Sequence, residues 1–578
     1  MSKLNVDQKN VKGIFQNTKL PFLIPDYQRP YAWGTEECKT LWDDLFSFAF
    51  PNNASDQFNE EDEYFLGPIV TFKNDAKQIE IIDGQQRLTT LMLLLRAFYE
   101  KLGNMRDSNS ISMKQDIEKC IWLTNDFGSY NPDDLKVISR VATDDDVEDF
   151  KMILIHGRYA HPKSRYASNF EYFRAEINRF LDEYPSYFAY FPARILNYCV
   201  MLPIEAESQD TALRIFSTLN DRGKPLSDSD IFKAQFYKYY TEQNQRAEFI
   251  DTWRRLDEMT ARMFHPTSGT PLDELFTRYM YYVRACMGNK STTTESLRRF
   301  YEKDKYDLLR KPVTLDNLVQ LAGFWEDVTN QDAERFSKRV LERLFVLNYS
   351  PNGMWTYILS VYFMHKKDHE GNLDEDGLYR FLNLLIGFIW AYAVTNPGVN
   401  SLRTPVYAEM LKIVMDKEVT FGDYRFERER LYTMLDTYHF SNSRAITKSM
   451  ITWWAFNHPE QQVFSLDEPI DIEHIYSRNR QKQEKGLTNE QNIEKLGNKS
   501  ILERRINIRA SDYRFEDKKK YYKGFETARG IVKQGTKVCE LKDIANNQTK
   551  FDESDIEART EKILQGFLEY LDAYKLLK

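Results

Sequence analysis

The chain has 578 residues, a length that predicts three or four domains of about 100–200 residues each, and a net charge of −8. Hydrophobic residues make up 42% and charged residues 29%, which excludes long disordered segments. No secretory signal is visible at the N-terminus, and the longest apolar run, 381–394, is shorter than the roughly 18–20 residues of a membrane span and predicts a buried helix. Because the five cysteines are dispersed, we expect reduced thiols in a cytoplasmic protein without membrane association.

Residues 1–240 are predicted to form an α/β domain. Two runs rich in β-branched and aromatic residues, 64–72 and 78–82, flank a short polar turn and predict a β-hairpin. A helix is expected from about residue 85 to 102, since its leucines recur on one face. The sequence DGQQR, 83–87, therefore lies where a strand gives way to a helix.

The DGQQR segment has the chemistry of a phosphate-binding turn. Gly84 and the free amides at the helix N-terminus predict an anion-binding nest, and Arg87 can fork to a phosphate. Gln85 and Gln86 can orient water or contact a base, and Asp83 can cap the helix or hold a metal-bound water. Taken alone, the segment favours an N-capped helix with solvent-facing glutamines. The chain has no G-x-x-x-x-G-K-[ST], so a nucleotide site here would not be a P-loop.

The segment YQRPYAW, 27–33, combines flat rings with hydrogen-bonding side chains. Tyr27, Tyr31 and Trp33 can stack on a base or enclose a modified one. Each ring can equally anchor the loop in the core. Gln28 and Arg29 are the stronger functional candidates, because a core has little use for both side by side.

Helices are expected over most of residues 170–440, and we assign 241–440 to a helical middle region. Before it, a polar loop carries Arg222 and Lys224, which can contact phosphate or form an exposed turn. Ser227 and Asp230 have the spacing of a capping box for the next helix. A domain boundary near 440 separates the middle from residues 441–578.

The segment 470–507 has the residues and spacing of an HNH-type metal nuclease. His474 suits a general base because its ordinary pKa lies near neutrality. Glu473 or Asp471 can supply a hard oxygen ligand to Mg²⁺ or Mn²⁺, and the amide oxygen of Asn507 can complete the protein ligands. In an ideal strand, however, Glu473 and His474 point to opposite faces, so both reach one site only if the strand ends or twists there.

The surroundings of this segment are basic. Residues 478–523 contain 14 Lys and Arg and seven Asp and Glu, a local charge of +7 on an otherwise acidic chain. Arg504 and Arg505 belong to this stretch. A solvated charged surface would give the same count. Strand, loop, strand and helix in this order predict a ββα-metal arrangement, and a final amphipathic helix capped by Ser554 and Glu557 is interpreted as packing.

Several motifs of the sequence resemble those of a known protein family. DIEHI, LGNKSIL and RRIN resemble the HNH domain at the C-terminus of GmrSD-type, modification-dependent (type IV) restriction endonucleases. LIPDYQRPYAWG, IIDGQQRLTTL and FSTLNDRGKPLSDSDIFKA resemble the N-terminal half of the same family. The resemblance implies an α+β multidomain protein: an α/β, ParB-like DGQQR domain, a largely helical middle, and a C-terminal ββα-metal HNH domain set among helices.

The resemblance also implies roles for individual residues. His474 would be the general base, Glu473 and Asn507 the metal ligands, and Asn498 the residue that orients the loop or His474. The DGQQR residues, with Gln28 and Arg29, would bind and hydrolyse GTP or another nucleoside triphosphate. The sequence departs from the family pattern at two places. After the histidine, the family commonly has an apolar residue and Pro-Gln, whereas this chain has Tyr476-Ser477-Arg478. The strand after LGN usually begins with an apolar residue, whereas here it begins with Lys499.

The sequence therefore predicts an endonuclease that cuts double-stranded, modified phage DNA under the control of a nucleotide. The first alternative is a nucleotide-dependent DNA sensor that does not cut. The second is an NTPase acting on protein partners. The modification, the nucleotide, the direction of control and the oligomeric state are not fixed by the sequence.

Overall fold

The computed structural model describes residues 5–6, 8–74, 76–125, 127–141, 144, 146–209, 211–212, 215, 227–293, 295–396, 398 and 401–578. Its contacts divide the chain into two compact units, residues 1–255 and 256–578. This division falls inside a helix, Arg246–Met263, close to the predicted boundary at 240. The predicted boundary at 440 does not divide the contacts. Trp390, before it, packs against Trp453 and Phe567, after it, with ring centroids 6.1 and 5.8 Å apart.

The first unit is built on a mixed seven-stranded sheet. Asn5–Val6 and Lys9–Asn10 follow each other along one edge of Cys199–Ala206, and the further strands in spatial order are Tyr64–Lys73, Ile79–Asp83, Phe22–Ile24 and Val137–Ser139. Tyr64–Lys73 and Ile79–Asp83 pair antiparallel, which confirms the predicted hairpin. Phe22–Ile24 pairs parallel to Ile79–Asp83, so the chain leading into the YQRPYAW segment lies beside the strand leading into DGQQR.

Helices cover this sheet. They are Val11–Gln16, Thr35–Ala49, Gln85–Leu102, Ser108–Ile121, Val147–His156, Arg165–Glu183, Tyr190–Tyr198 and Asp228–Glu242, with a small hairpin of Trp122–Thr124 and Tyr130–Leu135 beside them. The predicted helix Gln85–Leu102 is confirmed and has most of its residues in the core. Ser227 and Asp230 form the predicted capping box. The expectation of helices from 170 missed strand Cys199–Ala206, whose apolar run is buried between neighbouring strands.

The second unit is mainly helical. Its helices after the boundary are Pro271–Cys286, Leu297–Glu302, Pro312–Asn330, Lys338–Leu347, Met354–Lys366, Glu375–Thr395, Arg403–Val414, Arg428–Thr437, Ala445–Ala455, Arg478–Glu484, Arg504–Ala510, Phe515–Lys523, Cys539–Asn547 and Glu553–Ala573. Among the described residues, Glu375–Thr395 alone is long and apolar enough to cross a membrane. However, 72% of its most apolar window is buried inside the protein, as in a core helix. This burial confirms the interpretation of 381–394.

Two short hairpins lie within the helical second unit. Ile470–His474 pairs antiparallel with Lys499–Glu503, and helices Arg504–Ala510 and Phe515–Lys523 follow, the second within the predicted range 508–523, so the predicted order of strand, loop, strand and helix is present. The other hairpin joins Gly524–Glu526 to Val532–Gln534. The last helix begins two residues earlier than a Ser554 cap would require: Asp552 is its N-cap and forms a capping box with Asp555.

Candidate functional site

His474 ends the strand Ile470–His474 and pairs in register with Lys499. Its side chain is 12% exposed, and Nε2 lies 3.1 Å from Lys499 Nζ and 3.8 Å from a carboxylate oxygen of Glu494. Burial lowers the pKa of His474 below its ordinary value, and Lys499 lowers it further while Glu494 opposes the shift. The imidazole is therefore neutral at neutral pH, which is the state a general base needs.

Lys499 and Glu494 form a buried ion pair beside this imidazole. Lys499 Nζ donates to Glu494 at 2.7 Å and to Asn442 at 2.6 Å, and its side chain is fully buried. Burial raises the pKa of Glu494, but hydrogen bonds from His474 and Lys499 outweigh it and leave the pKa well below the usual range. Arg478 contacts the same carboxylate. Lys499, seen in the sequence as a departure from the family pattern, thus belongs to the immediate surroundings of His474.

Asn498 holds the chain that follows His474. Its side chain is fully buried, accepts a hydrogen bond from the Tyr476 amide at 2.8 Å, and donates to the carbonyls of Tyr476 and Ile493 at 3.1 Å. Its own carbonyl accepts from the Ile475 amide. These four bonds fix the turn at the end of the strand. The orienting role that the resemblance implies for Asn498 stays a prediction.

The C-terminal helix Glu553–Ala573 secures the other side of the Asn498 turn. Arg559 donates to the carbonyls of Leu496, Gly497 and Lys499 at 2.7–3.1 Å, and its guanidinium makes two further bonds to the Glu540 carboxylate. A Cβ on Gly497 would lie 2.0 Å from a carbonyl oxygen of this helix, so no other residue fits there. The apolar pattern of this helix predicts packing alone. An arginine among its apolar positions was the available signal.

Glu473 points away from His474. It is 3% exposed, and its carboxylate accepts hydrogen bonds from Lys518 Nζ, at 2.6 Å, and from the Tyr522 hydroxyl. Lys518 also donates to the His474 carbonyl at 2.7 Å. Because the strand stays regular through its last residue, the side chains alternate and the two do not share a site. The expectation that Glu473 turns toward His474 is therefore wrong for this structure.

The other two predicted metal ligands lie on the same strand as Glu473 and on the helix that follows the hairpin. Asp471 pairs with exposed Arg504 at 3.1 Å, and Asn507 lies half-buried on helix Arg504–Ala510. Within the described residues, the one set of three His, Cys, Asp or Glu side chains close enough to share a metal is Asp146, Asp149 and His161, in the first unit. There, Asp149 already accepts backbone amides.

In the first unit, DGQQR forms the expected junction. Asp83 ends its strand, and Gly84 is the N-cap of the helix with φ +94°, a left-handed conformation that glycine adopts without strain. Arg87 lies over Gly67 and donates to the Pro68 carbonyl at 3.0 Å. Burial raises the pKa of Asp83 and lowers the pKa of Arg87. The opposite charge of each partner reduces both shifts. A half-exposed acid and base thus flank the helix N-terminus.

The glutamines connect the two N-terminal motifs. Gln86 accepts hydrogen bonds from the amides of Ala32, at 2.6 Å, and Trp33, and donates to the Pro30 carbonyl. Gln28 donates to the Ile81 and Ile82 carbonyls, and Gln85 to the Arg29 carbonyl, all at 3.3 Å. Gln85 and Gln86 are therefore buried and hold backbone groups, in place of the solvent-facing position considered from the sequence. The structure brings the motifs of residues 23–34 and 81–91 into direct contact.

Two of the three rings proposed to meet a base are core residues. Tyr31 is 6% exposed, stacks on Tyr166 and bonds Thr90 at 2.6 Å, and Tyr27 is 4% exposed against Tyr237. This is the core-anchoring alternative. Trp33 keeps a partly exposed ring. The predicted contacts Arg222 and Lys224 lie outside the described residues, while Arg504 and Arg505 are both exposed.

These observations define a multidomain α+β protein with a mixed-sheet N-terminal unit and a strand-borne histidine in its basic C-terminal part. Residues 11–237 match the family description "GmrSD restriction endonuclease, N-terminal domain". Residues 421–565 match "GmrSD restriction endonucleases, C-terminal domain". The chain therefore belongs to the GmrSD restriction endonucleases, which makes it a nuclease with DNA as substrate and confirms the resemblance seen in the sequence. Comparison with curated proteins gives no match.

Proposed function

We propose that this protein is an HNH-type, metal-dependent endonuclease that cuts modified phage DNA and whose N-terminal unit binds and hydrolyses a nucleoside triphosphate. The observation that carries the nuclease assignment is the largely buried His474 at a strand end, next to the Asn498 turn and within a basic stretch of the chain. Membership of the restriction endonuclease family supports DNA as the substrate.

His474 is the general base in this proposal. In the described arrangement the Lys499 ammonium faces Nε2 at 3.1 Å, so base action at Nδ1 requires Lys499 to turn away and the ring proton to lie on Nε2, beside Glu494. As the water oxygen bonds to phosphorus, its proton passes to Nδ1 and the phosphorus–oxygen bond to the leaving strand breaks. Glu494 stabilises the imidazolium that results, in the way an acidic residue supports a catalytic histidine.

Mg²⁺ or Mn²⁺ is the expected cation, since charge grows on the phosphate during hydrolysis. The described arrangement does not fit a bound metal, because Lys518 and Arg504 already neutralise Glu473 and Asp471. A divalent ion would have to replace those partners. The protein's own residues carry the proton transfer, and chelation followed by add-back of Mg²⁺ or Mn²⁺ tests the metal requirement.

The nucleotide site is proposed at the junction of the two N-terminal motifs. Gly84 and the first amides of helix Gln85–Leu102 supply phosphate-binding donors, and Arg87 supplies charge. The buried Gln85 Oε1 has no hydrogen-bond partner among the described atoms, which leaves an acceptor for a ligand. Arg87→Ala is expected to reduce nucleotide hydrolysis without loss of fold. Unchanged turnover would place the nucleotide elsewhere.

The deciding experiment is a cleavage panel. Plasmid DNA and modified phage DNA are incubated with the protein, with and without Mg²⁺, EDTA and each nucleoside triphosphate. Cleavage is expected to require Mg²⁺ or Mn²⁺ and to disappear in His474→Ala, but to persist in His439→Ala, which removes an exposed histidine of the same unit. If His474→Ala cuts as fast as the parent, the nuclease assignment is wrong.

One observation favours a second function, a nucleotide-dependent DNA sensor that does not cut. The carboxylates expected to bind metal are held by Lys518 and Arg504, an arrangement that a non-cutting protein could keep permanently. Tight duplex binding without cleavage under any metal and nucleotide in the panel would select this alternative. Binding that does not weaken as salt rises would instead indicate a protein partner.

A further inference from the structure

Two of the three most exposed large apolar side chains among described residues 441–578 lie on the hairpin that joins Gly524–Glu526 to Val532–Gln534, and the third is Ile508. We call residues 523–534 the basic arm. Ile531 is 52% and Val532 is 70% exposed, and they follow directly on the turn at Gly530. Soluble proteins seldom leave neighbouring β-branched residues in water on a two-stranded hairpin, which is marginally stable alone. The exposure therefore indicates a surface that a partner covers.

The charge around these side chains identifies the partner. Residues 504–537 contain 11 Lys and Arg against four Asp and Glu, a local +7 in a chain of net −8. On the arm itself, Lys523, Arg529 and Lys533 are exposed and have no ion-pair partner among the described residues. Cations on both sides of an exposed apolar tip are complementary to duplex DNA. Its phosphates carry negative charge on the outside, and its stacked bases form an apolar interior.

The arm is anchored to the hairpin that carries His474. Past the arm, the Thr536 hydroxyl and the Lys537 amide each donate to the Glu503 carboxylate at 2.6 Å, and Glu503 pairs with Ile470 at the end of the hairpin opposite to His474. The Thr536 amide donates to the carbonyl of Tyr522, whose hydroxyl contacts Glu473. A ligand held by the arm is thus held at a fixed position relative to His474.

We propose that the basic arm is a DNA-binding element that enters the minor groove of the duplex next to the cleavage position. This inference rests on the proposed nuclease function. Arg529 and Lys533 contact phosphates on either side, and Ile531 inserts against a base step, as apolar wedges in the minor groove do. A base step opened in this way brings the neighbouring phosphate out of its regular path. The arm thus supplies affinity and local distortion, while His474 supplies the chemistry.

The test measures DNA binding in a His474→Ala background, where the substrate stays intact. Fluorescence anisotropy gives Kd for a 30-base-pair duplex across a salt series, and 2-aminopurine in the duplex reports unstacking. In Arg529→Ala/Lys533→Ala, the slope of log Kd against log salt is expected to fall by about 2, roughly 0.9 for each lost phosphate contact. In Ile531→Ala/Val532→Ala, we expect roughly tenfold weaker binding, an unchanged slope and no 2-aminopurine signal.

Two matched controls remove exposed residues elsewhere on the same unit. Lys290→Ala/Lys417→Ala removes two cations, and Val313→Ala/Met415→Ala removes two apolar side chains that are 56% and 51% exposed. Both are expected to bind like the background protein. Circular dichroism and sedimentation verify fold and association state for every variant.

The outcomes separate the arm from the nuclease assignment. If the arm variants bind with the Kd, salt slope and 2-aminopurine signal of the controls, the arm inference is overturned and the proposed function stands. If the background protein binds no duplex at any salt concentration, both fall together. If the apolar variant changes the association state and leaves DNA affinity intact, the tip is a contact between copies of the chain and the inference is again overturned.

Discussion

Removing Arg559 should destabilise the second unit and disturb the turn that carries Asn498. The guanidinium, whose side chain is 9% exposed, bonds three backbone carbonyls and both oxygens of Glu540, which is itself 21% exposed. Arg559→Ala leaves Glu540 without its main partner and the carbonyls without donors. Breaking one partner of a buried ion pair costs about 3–5 kcal/mol, and we expect a loss of free energy of unfolding in that range.

The assay is urea unfolding followed by circular dichroism, with the midpoint converted through a common slope. Arg559→Lys keeps the charge but cannot fork to both Glu540 oxygens and the carbonyls, so it is expected to recover a minor part of the loss. Glu569→Ala, an exposed position on the same helix, is the control and should unfold with the parent. A double-mutant cycle with Glu540→Gln should give a coupling energy above about 1 kcal/mol.

Two results would refute this reasoning. An Arg559→Ala midpoint equal to that of Glu569→Ala would mean that the carbonyls find other donors at no cost. Additive single mutants in the cycle would mean that Arg559 and Glu540 do not support each other. In either case the C-terminal helix would be packing alone, as the sequence first indicated.

Three further predictions concern the two sites. The acidic limb of the cleavage pH profile should lie below the ordinary histidine pKa of about 6.5, because burial lowers the pKa of His474. Glu494→Gln removes a neighbouring anion and should move that limb to lower pH, whereas Lys499→Met removes a cation and should move it to higher pH. Equal shifts of both variants in one direction would contradict this prediction. Asn498→Ala should cost about 2–4 kcal/mol in urea unfolding, since buried backbone groups lose their partners, and a cost below that of Gln86→Ala would argue against the role of this turn. Gln86→Ala should make residues 27–33 exchange amide hydrogens faster and leave the exchange of the second unit unchanged.

Much of the fold could be predicted from patterns of residues that lie close together in the sequence. The hairpin Tyr64–Lys73 and Ile79–Asp83, the helix after Gly84 and the cap at Ser227 each depend on residues within a few positions of one another. Strand Cys199–Ala206 was missed because its partners lie more than 100 residues away in the chain. An apolar run gives no period that separates a buried strand from a buried helix.

The candidate site was predictable in its residues but not in its pairings. Spacing indicated His474 and the family resemblance indicated Asn498, whose side chain bonds the backbone that follows His474. Nothing local indicated that Lys518, 45 positions beyond Glu473, would hold that carboxylate, or that Arg559 would bind the 496–499 backbone. Such contacts depend on how helices that are far apart in the chain pack together. A single sequence does not show which helices will be neighbours.

The pairing of Glu473 with Lys518 constrains how the predicted cation can bind. An ammonium 2.6 Å from the carboxylate and buried with it supplies one positive charge where a divalent ion would supply two. Metal entry at Glu473 must therefore displace Lys518 and also break its bond to the His474 carbonyl. Because that carbonyl belongs to the residue proposed as base, metal binding and the position of His474 are coupled through one lysine. Lys518→Met should then unfold more easily without metal and depend more strongly on Mg²⁺ for stability, whereas equal Mg²⁺ stabilisation of parent and variant would place the cation away from Glu473.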